Sequence, residues 1–158
     1  MIRRSKLVLI FAAAALSVQA IAATPPDAKL WAGPWRLNVA KSKFGPAGKE
    51  QSETRTYDLA GGKLTMKSVL KDDTGEEATF GYSAALDGKP YPMTANPNAD
   101  SISLTLVNSH EIKAISQLHG KTTAQTVTTV SADGKHLTLR KNYVAMKGAP
   151  TEVLEYDR

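Results

Sequence analysis

Ser109-His110-Glu111 places a hydroxyl, an imidazole and a carboxylate side by side, and the acidic pairs Asp72-Asp73 and Glu76-Glu77 flank Thr74-Gly75. Nucleophilic hydrolysis needs such groups to converge from separate parts of a fold, so three consecutive residues do not form a triad. Glycoside hydrolysis needs two carboxylates facing each other across a cleft, which neighbours at a turn tip do not provide. The chain has no Cys. It also lacks a Gly-x-Ser-x-Gly elbow and a glycine-rich phosphate loop. His110, His119 and His136 each fall in or beside a turn signal, and none shares a metal-ligand spacing with another. These residues argue for no enzyme, no metal and no cofactor.

The stronger signal is a set of aromatic and aliphatic residues at alternating positions. Arg55, Tyr57, Phe80, Tyr82, Leu104 and Tyr143 all fall on faces expected to turn inward, interleaved with small residues at Ala78, Ala84 and Ala114. Large beside small leaves room for a ligand or fits the taper of a filled barrel. Arg55 shares its face with Tyr57 and Leu59. An inward guanidinium needs a partner, either an internal Glu or the anionic headgroup of a ligand.

The elements that must position these residues are strands. Trp35, Leu37 and Val39 alternate with Arg36 and Asn38. The same period of two runs through residues 54–59, 64–70, 76–86 and 101–107. Gly61-Gly62, Asp72-Asp73-Thr74-Gly75, Asp87-Gly88, His119-Gly120, Asp133-Gly134 and Lys147-Gly148 punctuate the runs as hairpin turns. The pattern predicts an all-β fold, an antiparallel up-and-down barrel of about eight to ten strands. Residues 40–53 read as a basic loop. Residues 87–100, with Pro90, Pro92 and Pro97, read as a second loop, because proline is excluded from a central strand. Both are expected at the barrel mouth, with Tyr91 and Met93 on a lid or rim.

Arg3, Arg4 and Lys6 precede an apolar run from Leu7 to Val18, and Ala20-Ile21-Ala22 fits a cleavage site. Residues 1–22 therefore read as a signal peptide and residues 23–158 as a single barrel domain, periplasmic or extracellular. The leader carries three positive charges and no negative ones, so the formal charge of +5 falls to +2 on its removal. That balance argues against nucleic acid as a partner. Outward faces rich in Thr, Lys, Gln and Ser argue against membrane insertion, which needs an apolar outer band.

The mature start, Trp31-Ala32-Gly33-Pro34-Trp35-Arg36-Leu37, resembles the opening of lipocalins and their calycin relatives. The strings Trp35 to Phe44 and Asp87-Gly88-Lys89-Pro90-Tyr91-Pro92 are similar to bacterial secreted lipocalin-like proteins of unassigned function. The resemblance implies that Gly33 and Trp35 belong to a plug at one barrel end, with Arg140 or Arg158 packing across the Trp ring. The Arg-x-Tyr carboxylate clamp of the fatty-acid-binding branch does not carry over, because Leu154-Glu155-Tyr156 stands in its place. Together these readings give a secreted barrel that binds a small, mostly apolar molecule. The competing reading is a non-enzymatic envelope interaction module with a packed core.

Overall fold

The computed structural model describes residues 27–46 and 48–158; the expected leader, residues 1–22, lies outside them. A one-turn helix, α1 (Ala28–Trp31), leads into ten strands: β1 (Gly33–Leu37), β2 (Ser52–Ala60), β3 (Lys63–Lys71), β4 (Glu77–Ala85), β5 (Asp87–Thr94), β6 (Ser101–Asn108), β7 (Glu111–Leu118), β8 (Lys121–Val130), β9 (His136–Tyr143) and β10 (Glu152–Asp157). Each strand pairs antiparallel with its sequence neighbours, and β1 also pairs with β10, so the sheet closes into an up-and-down barrel. This is the fold class that the alternation predicts.

Period two decides which side chains enter the barrel. On β3, Leu64, Met66 and Ser68 are buried between exposed Lys63, Thr65, Lys67 and Val69. On β10, Glu152, Leu154 and Tyr156 are buried and alternate with half-buried Val153, Glu155 and Asp157. Among the described residues, no helix is long and apolar enough to cross a membrane.

Residues 87–94 correct the sequence reading, since they form β5 rather than a loop. The backbone N–H of Met93 donates to the Asp100 carbonyl on the β6 side. By alternation, Pro90 and Pro92 direct their missing N–H groups toward β4. There the pairing is reduced to Gly81↔Thr94 and Tyr82↔Met93. The prolines thus sit where the ladder is open, and a central strand behaves as an edge on one side.

Strand direction fixes the two ends. Residues 38–46, 48–51, 95–100 and 144–151 share one end, whereas Asp87-Gly88 turns at the other. Only the second half of the proline-rich stretch therefore reaches the mouth.

Candidate binding site at the open end of the barrel

The end opposite the mouth is plugged. Trp31 and Trp35 are fully buried. Trp31 meets Tyr57 edge-on at 6.1 Å, and the two indole N–H groups donate to the carbonyls of Ser109 (2.8 Å) and Trp31 (3.0 Å). The Arg158 guanidinium lies 4.0 Å from the Trp35 ring centroid. It also donates to the carbonyls of Lys29, Leu30 and Ala32 at 3.3, 3.0 and 2.9 Å. Arg158, not Arg140, is thus the cation on the plug. Arg140 stands between inward Leu139 and Lys141, so strand parity turns it out to solvent. Gly33 opens β1 with φ of 110°, a backbone state that side-chain-bearing residues avoid.

Above the plug the interior becomes charged. Glu53 and Arg55 are two apart on β2, so both point inward. A carboxylate buried there needs several partners. Glu53 Oε1 accepts from Arg55 Nε (2.6 Å) and Ser68 Oγ (2.5 Å), and Oε2 accepts from the Tyr156 hydroxyl (2.5 Å). Burial pushes the Glu53 carboxyl up, but Arg55, Ser68 and Tyr156 outweigh it and hold the group below the usual carboxylate range. Burial likewise opposes the charge on Arg55, and the Glu53 carboxylate overcomes it. The guanidinium sits 5.4 Å from the Tyr156 ring centroid and 5.9 Å from that of Phe80. Nε makes the bond to Glu53. Nη1 and Nη2 carry no hydrogen bond to a carboxylate among the described residues.

Next to this pair lies a cavity of about 80 Å³. Arg55, Tyr57, Phe80, Tyr82 and Met93 line it, joined by Lys141 and by hydroxyls from Ser116, Thr126 and Thr128. Leu104 is buried in the core without lining the cavity. Tyr91 packs beside the core and donates to Asp87 Oδ2 at 3.1 Å. Tyr143 lies off the wall, where its hydroxyl donates to Glu152 Oε2 at 2.7 Å. The lining is more polar than the sequence reading expects, because strand parity delivers Arg55, Lys141 and three hydroxyls to the interior.

A strap crosses the mouth. Residues 38–46 continue from β1 along β10, pinned by the paired backbone bonds of Lys43 and Val153 (2.7 and 2.8 Å). The Gly45 N–H donates to Glu152 Oε2 at 3.2 Å. A Cβ at Gly45 would stand 2.7 Å from Tyr143 Cε2 and 2.9 Å from Glu152 Oε2, so this close approach requires glycine. Lys141 Nζ lies 3.8 Å from Glu152 Oε1 and 4.8 Å from the Tyr143 ring centroid. Burial lowers the Lys141 ammonium, and Glu152 only partly offsets this.

Glu50 closes the group. Its Oε2 is shielded from solvent and has no hydrogen-bond partner. Burial, then the charges of Glu53 and Glu152, raise its carboxyl to about 7. Such a group stabilises the fold fully below the ordinary carboxylate range, and the contribution disappears as pH rises through about 7. Urea midpoints of the native chain are therefore expected to fall between pH 5 and pH 8. Glu50→Gln flattens that slope and gives the larger gain at pH 8. Equal slopes in the two proteins would remove Glu50 from this role.

Sequence reasoning overlooked Glu50, Glu53, Ser68, Lys141, Glu152 and Tyr156. Parity was the available signal for most of them. Glu53 shares a face with Arg55, Lys141 with Leu139 and Tyr143, and Glu152 and Tyr156 with Leu154. Among the described residues, no group of three or more His, Asp or Glu side chains is placed to hold a metal ion.

The fold and site define a class by geometry: a closed ten-stranded up-and-down barrel, plugged at one end and charged at the other. No family model matches the chain, and no curated protein or solved structure matches it.

Proposed function

We propose that this protein is an exported lipocalin-like barrel that binds a small organic molecule at its open end. The observation that carries the reading is the cavity beside Arg55, walled by Phe80, Tyr82 and Met93 and bordered by hydroxyls and Lys141. Apolar walls with a few polar groups are the usual composition of a small-molecule site. Export is supported by Arg3-Arg4, the apolar run after Lys6 and the small residues before Ala23.

The cavity bounds the ligand. A volume of about 80 Å³ holds about six waters at 10–15 Å³ each. Long acyl chains and dye-sized molecules exceed it, so the mostly apolar ligand of the sequence reading narrows to a compact one with polar groups.

The test is native mass spectrometry of the protein recovered from its own cells, compared with a denatured sample. The expected result is an added mass on the order of 100 Da, comparable to six waters, that is lost on denaturation. A clean apo mass, together with silence toward the small probes described below, would favour the packed interaction module.

A further inference from the structure

The cavity wall carries two cationic side chains, Arg55 and Lys141, and no carboxylate. Glu53 stands behind Arg55, satisfied on both oxygens. Glu152 is bonded by Tyr143 and Gly45, and its contact with Lys141 is long at 3.8 Å. The charged groups that face the cavity are therefore both cationic, and the carboxylates stand behind them. The groups surrounding Glu50 in charge are Glu53 and Arg55 from β2, Lys141 and Tyr143 from β9, and Glu152 from β10. With all of them ionised except the tyrosine, three carboxylates oppose two cations. The orphaned oxygen of Glu50 belongs to the one carboxylate that has no cation of its own.

We propose that the cavity takes a compact organic carboxylate, met by Arg55 and Lys141, and that Glu50 takes up a proton as the ligand enters. The proposal rests on the binding reading above and names the chemistry of its ligand. An incoming anion adds a negative charge to a cluster that already holds one in excess. Protonating Glu50 removes that excess without breaking the Glu53–Arg55 pair. Binding and protonation are then linked, and each favours the other.

The probes are benzoate and its uncharged isostere benzamide, titrated into the full barrel and followed by amide chemical shifts at pH 6 and pH 8. Benzoate stays ionised at both values. Benzoate is expected to bind at least tenfold more tightly than benzamide at pH 6. Its Kd is expected to rise about tenfold by pH 8, the factor one group titrating at about 7 produces. Glu50→Gln should bind benzoate equally at both pH values, and Lys141→Gln should shrink the preference for benzoate over benzamide. Equal binding of the two probes would overturn the anion assignment while leaving a small-molecule site. A pH slope that persists in Glu50→Gln, or is missing from the native chain, would overturn the proton linkage. Failure of both probes to bind would overturn the carboxylate assignment, and a clean apo mass beside it would remove the binding reading as well.

Discussion

Arg55→Met is expected to cost about 3–5 kcal/mol of folding stability at pH 7, because it leaves the Glu53 carboxylate buried without its cation. Glu53 is 2% exposed, so water cannot replace the lost partner. Ser68 and Tyr156 each keep one hydrogen bond to it, which places the cost within that range rather than above it. The sign with pH follows. In the native chain Glu53 titrates below its ordinary value, so its contribution is present above that value and is lost as pH falls through the depressed one. In Arg55→Met the same carboxyl is dominated by burial and rises, so the variant regains stability on acidification. The gap between the two proteins therefore narrows toward low pH. Adding Glu53→Gln to Arg55→Met should recover much of the loss, since an amide carries no charge to desolvate. Urea denaturation of the three proteins at pH 5 and pH 7 checks this. A loss below about 1 kcal/mol at pH 7 would mean that the pair does not organise the interior.

The second large effect lies at the plug. Trp35→Ala is expected to cost about 3–5 kcal/mol, as for other large-to-small changes at fully packed aromatic sites. Arg158→Ala removes the cation from the Trp35 face together with three hydrogen bonds to the α1 segment. It is expected to cost about 1–2 kcal/mol, the range of a partly shielded cation–π contact with its bonds. Arg140→Ala, on the exposed face of β9, should stay within about 0.5 kcal/mol. A double-mutant cycle between Trp35→Phe and Arg158→Ala should give a coupling of at least about 0.5 kcal/mol. A larger loss from Arg140→Ala than from Arg158→Ala would reverse the assignment of the plug cation.

The barrel itself was legible in the residues. Alternation through Leu64, Met66 and Leu70, or through Ile102 and Leu104, has a period that only strands satisfy, and Gly61-Gly62 and Asp133-Gly134 mark the hairpins between them. Strand β5 was not legible. Proline removes a backbone donor, and whether that donor is needed depends on which neighbour it faces. Pro90 and Pro92 face the unpaired stretch of β4, a circumstance of register between strands and not of the residues themselves.

The site divides in the same way. Local parity by itself determined that Arg55, Tyr57, Phe80 and Tyr82 enter the barrel, because consecutive side chains on a strand must alternate between its faces. Only the tertiary structure decided that Glu53 neutralises Arg55, that Tyr156 and Ser68 reach the same carboxylate from β10 and β3, and that Arg158 rather than Arg140 covers Trp35. The bonds that join Glu53 to Tyr156 and Gly45 to Glu152 span 103 and 107 residues of chain. Contacts of that range exist only once the first strand has closed on the last, and closure sets the register that brings Glu50, Lys141 and Glu152 to one mouth.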